Sequence, residues 1–464
     1  MRDARVVWGT RADKSPGRSA LPYVWLVGSI AILAAVSRLA GGQILDRLSS
    51  LEDTPTAPIL AAIVLFGYCS FTSFYATWKT PLPSFVVAIA LGMAGRTLFA
   101  PIVGNSHLLA ALVTGSAALI LFGGGLEMPL RSFVRLFIKI ALLAFPGVLI
   151  TGFAFSWFVG GAGAVLGFKL SSAVVILLGA ILASTDPAAI IPLLEHVRFR
   201  RRAAKDIVIA EGAMNDVVGT LLTSVFLKLA LATVTLVAAY RSLASHETVM
   251  FLEAQCGYGA LFGFVGYALL WMLGRMKRGH RASFGADQIH FVATPILVFV
   301  GASLFGGSGF LAAFVAGLLF HSQEHMAETE RFLFQVIDGV AKPVIFVLLG
   351  ALVDLNAVVA YAPIGIVAGL VFMAVIRPVM VMLMLWPYWF IRRYSRGLSG
   401  RELLFICFVR ETGAIPAVLL VTAVARVTVP VGGLVEIGLW VILLTLVLAP
   451  PFTPWLARRL GVAD

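Results

Sequence analysis

Apolar residues run in blocks along almost the whole chain, divided by short joints that carry the charges, the glycines and many of the prolines. A bilayer core is roughly 30 Å thick, and a helix rising about 1.5 Å per residue crosses it in about 20 apolar residues. Blocks of that order fall near 22–40, 58–78, 82–99, 107–126, 136–160, 171–195 and 206–236, then near 254–274, 289–305, 308–322, 335–354, 361–387, 403–425 and 432–456, fourteen in all. None shows the ten-residue alternation of a membrane barrel strand, so each is expected to be a continuous helix. The fold expected is an all-α polytopic membrane protein of about 13–14 spans.

Composition agrees with the pattern. With 60% hydrophobic and 12% charged residues, the chain is too apolar for one soluble domain of 464 residues. Numbering the spans with the N-terminus inside puts the clusters Arg2 to Arg18, Arg198 to Lys205, Arg275 to Arg281 and Arg392 to Arg401 on one side. Of the loop cations, only Arg47, Lys169, Arg241 and Arg426 face the other. That asymmetry places both termini in the cytoplasm, and a bacterial inner membrane is the expected location. The net charge of +12 is thus a topology signal, and no nucleic-acid partner is expected. The expected organisation is a basic cytoplasmic N-terminus at 1–21, an extra helix and loop at 22–57, a membrane domain at 58–456 and a short cytoplasmic tail at 457–464. Cys69, Cys256 and Cys407 have neither disulfide nor metal spacing. Without a P-loop no nucleotide partner or cofactor is expected, so an ion gradient is the expected driving force. Gly306-Gly307-Ser308-Gly309 matches the Gly-x-Ser-Gly string of intramembrane serine proteases, but His321 lies too close to a span end to act as base, and no enzyme is expected.

The polar groups inside the blocks carry the chemistry. A charged side chain at the bilayer centre costs about 2.5–3.5 kcal/mol on insertion scales, which makes each one a functional candidate. The sixth block contains Ala183-Ser184-Thr185-Asp186-Pro187. Proline removes a donor and disfavours helix in the residue before it, so Thr185 and Asp186 should sit at a break with free carbonyls. The seventh block places Glu211, Asn215 and Asp216 within six residues. Glu211 and Asn215, four apart, share a helix face, whereas Asp216 is turned by about 100°. The expectation is therefore one network of Glu211 with Asn215, and Asp216 pointing elsewhere, towards Asp186. Arg377, inside the twelfth block, needs a buried carboxylate, and Glu211 is the expected partner. Arg410 adds a second buried cation in Arg410-Glu411-Thr412-Gly413-Ala414. Lys342, beside Pro343, reads equally as a site residue or as the end of a helix.

The two interrupted, charged blocks, sixth and thirteenth, are seven spans apart. An odd offset runs them in opposite directions, as inverted repeats with discontinuous crossing helices require. The repeated units expected are spans five to seven and twelve to fourteen, giving core helices at about 136–236 and 361–456.

Together these residues resemble the monovalent cation/proton antiporter superfamily, and within it the electroneutral, NhaP-like sodium/proton branch, over roughly residues 58–456. Thr185-Asp186-Pro187 is similar to the family's Thr-Asp-Pro break, Asn215-Asp216 to its Asn-Asp pair, and Arg377 to the arginine that pairs with a glutamate such as Glu211. Ser308-Gly309-Phe310-Leu311-Ala312 is also family-like. The resemblance implies a homodimer in lipid and a core that moves against an interface domain. It implies that Asp216 alternates between proton and cation, with Asp186 and Thr185 helping to hold sodium, or potassium or lithium. Asn215, where electrogenic relatives carry a second aspartate, implies one-for-one exchange. A potassium/proton antiporter or another proton-coupled secondary transporter is the alternative. The chain departs from the family pattern at Gly212, where close relatives often have serine, at Glu411, and in its additional first span.

Overall fold

The apolar blocks fold as helices in a computed structural model that describes residues 27–43 in part, 56–76, 83–185, 194, 199–229, 234–277, 286–320, 326–390, 398–409, 412–427 and 430–463. They are α1 (Thr56–Ala76), α2 (Ser84–Ala94), α3 (Arg96–Val103), α4 (Ser106–Leu126), α5 (Leu130–Ala144), α6 (Pro146–Leu166), α7 (Ser172–Leu182), α8 (Arg202–Lys228) and α9 (Leu236–Ser242). The second half adds α10 (His246–Lys277), α11 (Ala286–Leu304), α12 (Gly309–Leu319), α13 (Ala327–Leu352), α14 (Ala362–Phe390), α15 (Gly400–Phe408), α16 (Ala414–Arg426) and α17 (Leu434–Arg459). No strand occurs among the described residues, only an isolated bridge between Phe199 and Ala463.

Among the described residues seven helices, counting α5 with α6, are long and apolar enough to cross a membrane unaided, and the bent pair α2–α3 passes the same test only when its two halves are taken together. The sixth and thirteenth blocks are interrupted, as expected, and the third is broken where a continuous helix was expected. The third bends by 86° at Gly95, where α2 hands over to α3. The thirteenth divides into α15 and α16, and α7 stops at Leu182. Breaks at these depths are tolerated where the freed backbone is buried in protein. At the second break, the Thr412 N–H donates to Thr445 Oγ1 of α17 at 3.2 Å. Ser308, the serine of the protease-like string, caps α12 by accepting from Leu311 N–H at 3.2 Å.

Two spans keep their length by widening. α13 contains a π-helical turn at Ile337–Ala341, and α14 contains another at Phe372–Ile376. Each turn leads into a basic residue followed by proline: Lys342-Pro343 and Arg377-Pro378. A proline clashes with the carbonyl four residues back and cannot bond to it, and a wider turn relieves the clash. The carbonyl so released in α13, that of Gly339, accepts the Ser73 hydroxyl of α1 at 3.0 Å.

Packing sorts the helices into two sets. α1–α4 pack with α10–α13, and α5–α9 pack with α14–α17. The sets meet where α16 lies against α4 and α13, and where α8 touches α4, α10 and α12. Within the sets, helices cross at paired glycines. A Cβ on Gly92 would fall on the Val347 carbonyl and one on Gly350 on that of Ile89; Gly125 and Gly317 stand in the same relation to Phe314 and Phe122. Gly152 and Gly179 face each other's carbonyls between α6 and α7. Such contacts let backbones approach as closely as lipid-embedded helices can.

Candidate functional site

The site forms where α7 ends beside α8. Past Leu182 the chain leaves the helix, and Ser184 and Thr185 are non-helical and buried. α8 runs past them carrying Glu211, Asn215 and Asp216, which are 1%, 1% and 3% exposed. Burying three such groups on one membrane helix is costly unless each finds a partner.

Glu211 finds its partner in Arg377, delivered from α14 directly after the π turn. Arg377 Nη1 and Nη2 donate to Glu211 Oε1 and Oε2, each at 2.5 Å. Both side chains are almost fully buried. The two parallel bonds are the fork geometry in which a guanidinium holds a carboxylate most firmly. Asn215 bridges: its Nδ2 donates to Glu211 Oε1 at 2.8 Å and to Thr185 Oγ1 at 3.0 Å. Those two acceptors fix the amide orientation and leave Asn215 Oδ1 buried with no hydrogen-bond partner among the described residues. Asp216 faces the other way, and its Oδ1 accepts the Ser184 hydroxyl at 2.5 Å.

The structure therefore brings Thr185, Glu211, Asn215 and Arg377 into one network and sets Asp216 next to it on a separate partner. Asp186, Arg410 and Glu411 lie outside the described residues. Lys342 pairs with Asp338 at 2.7 Å, one turn away on the same helix, and sits within a span instead of ending one. Sequence reasoning passed over Ser184. The signal was present: two consecutive hydroxyls, Ser184 and Thr185, in an otherwise apolar block. The large surface groove lined by Trp157, Val165, Leu170 and Val367 includes none of these residues.

A family model described as "Sodium/hydrogen exchanger, transmembrane" matches residues 60–459. The chain belongs to this family. This exchanger-family chain is 30% identical over 374 residues to the K(+)/H(+) antiporter NhaP of Alkalimonas amylolytica, covering 77% of its own length and 59% of the relative's. It is 28% identical over 250 residues to the Na(+)/H(+) antiporter NhaP of Pseudomonas aeruginosa, covering 52% of itself and 55% of that protein. The chain thus spans little more than half the length of these relatives. Its fold is like that of the sodium proton antiporter MjNhaP1 from Methanocaldococcus jannaschii, with a TM-score of 0.59 and 20% identity over 95% of this chain and 99% of that one. The exchanger fold and an integral place in a membrane follow from this match and from the apolar spans.

Proposed function

We propose that the protein exchanges a monovalent cation for a proton across a membrane, one for one, with sodium the first candidate. The observation that carries this reading is the opposite treatment of two acids on one helix. Glu211 is locked to Arg377 by two bonds, whereas Asp216 meets the Ser184 hydroxyl. A carboxylate held by both oxygens in a fork of that kind is fixed in place, so on this reading Glu211 is structural and Asp216 is the group that alternates. A desolvated carboxylate binds either a proton or a cation, and holding one displaces the other. That competition is exchange, provided the empty charged site does not cross.

Hard cations take oxygen ligands, and the proposed ones are the Asp216 carboxylate and the Thr185 hydroxyl, with Asn215 Oδ1, buried and without a hydrogen-bond partner among the described residues, as a further oxygen. Asp186, next in the chain to Thr185, completes the proposed set. Potassium would use the same oxygens in a larger cage, and the potassium-antiporting relative from Alkalimonas gives this second reading its support. The proposed core comprises about 136–236 and 361–456 within a membrane domain of 58–456. The remainder of the reading is a homodimer in a bacterial inner membrane with both termini cytoplasmic.

The test is proton movement in everted vesicles, followed with a pH-sensitive dye while sodium, potassium or lithium is added. Wild type should release protons on addition of at least one of them, and Asp216→Asn should release none while remaining folded. Brisk cation-dependent release by folded Asp216→Asn would remove Asp216 from the carrier role.

A further inference from the structure

The hydroxyl on Asp216 comes from outside its own helix. Ser184 is the second residue beyond the last turn of α7, fully buried, and its Oγ donates to Asp216 Oδ1 at 2.5 Å. A third residue makes this contact possible. Gly219, three positions after Asp216 and on the same face of α8, lies under the serine. A Cβ built on Gly219 would come within 2.7 Å of the Ser184 Cβ. Carboxylate, hydroxyl and the space for the hydroxyl are thus built together.

A serine hydroxyl is one donor and two acceptors on a rotor. Against a bare carboxylate it donates; against a hard cation beside that carboxylate it can turn and offer its oxygen as a neutral ligand. We propose that Ser184 sets the cation affinity of the site, its hydroxyl satisfying the empty Asp216 carboxylate and swinging its oxygen onto a partly dehydrated monovalent cation when one enters. This rests on the antiport reading of the site, in which Asp216 is the carrier. A serine that merely filled space would give a different result on substitution, because alanine keeps its Cβ contact with Gly219 and loses only the oxygen.

The experiment measures equilibrium binding of sodium-22 and rubidium-86 to the purified full chain in detergent, and exchange by the same preparation in proteoliposomes. Ser184→Ala should raise the Kd and the apparent KM for the cation severalfold, because the ligand lost by the bound cation outweighs the hydrogen bond lost by the cation-free carboxylate. Its maximal rate should change far less. Gly219→Ala leaves the hydroxyl in the chain but pushes it off Asp216, and should move the same two constants in the same direction. Thr220→Val removes a buried hydroxyl that donates back to the Val217 carbonyl of its own helix, at 2.7 Å, and should leave both constants alone. If Ser184→Ala unfolds, Ser184→Cys, close in size but a poor donor and a poor ligand for hard cations, reads the same contact. Folded Ser184→Ala with wild-type Kd for both ions overturns the proposal. A wild type that binds cations without exchanging them overturns the antiport reading and leaves the binding comparison to decide Ser184; a wild type that binds neither ion overturns both.

Discussion

Glu211 and Asp216 are five positions apart on one helix and have the same functional group, so what separates them is only what each side chain meets. Glu211 meets a guanidinium in a fork; Asp216 meets the hydroxyl of Ser184, which is seated over Gly219. Removing Arg377 leaves a buried carboxylate without its counter-charge, and breaking a buried pair from one side costs about 3–5 kcal/mol. Arg377→Ala should therefore lower the melting temperature and yield of the purified protein. Changing Glu211 to Gln in the same chain removes the stranded charge and should restore part of the loss. Thermal melts of the two variants side by side check this, and an Arg377→Ala protein as stable as wild type would mean that the pair contributes nothing. Arg377→Lys is not a mild change here, since an ammonium cannot make both bonds.

At the scale of helices, the glycine crossings separate two neighbouring residues sharply. A Cβ on Gly125 of α4 would lie on the Phe314 carbonyl of α12, while one on Gly124 would first meet the Ala213 Cβ of α8 at 4.0 Å, an ordinary contact. Gly125→Ala should destabilise by about 1–3 kcal/mol, as overpacking does, whereas Gly124→Ala should melt like wild type. Equal melting temperatures for the two would show that the crossing is looser than described. The sequence carried the helices, the break after α7 and the Glu211–Arg377 partnership, because apolar length, proline and unpaired charge are local signals. It did not carry the 86° bend at Gly95, since a glycine before arginine in an apolar run reads equally well as a straight helix. Nor did it carry the π turns before Pro343 and Pro378: proline announces a disturbed helix without saying whether the chain will kink or widen. Ser184 escaped notice because its partner is 32 positions away and its seat depends on a glycine, which marks space without naming the occupant.

For the molecule as a whole, the cycle should carry no net charge. Glu211 is tied to Arg377 by two hydrogen bonds, Asn215 has no charge to exchange, and Lys342 pairs with Asp338. In the proposed cycle, the site of Asp216 and Asp186 alone exchanges one proton for one cation. Moving a single charge through 100 mV is worth about 2.3 kcal/mol, so any imbalance would shift the ion gradients at equilibrium. In sodium-only proteoliposomes with a potassium/valinomycin potential, the reversal point should stay where it lies at zero potential. A reversal point that tracks the potential would show that a second group titrates during the cycle.

The Glu211–Arg377 fork also has a history, because its halves are 166 positions apart in the chain. A ribosome adding about 5–20 residues per second needs roughly 10–30 s to travel from one to the other. Throughout that interval α8 exists and α14 does not, so a deeply buried acid of the finished protein has no Arg377 to meet. During synthesis Glu211 therefore waits without its fork, and the first half of the protein is completed only when the second half arrives.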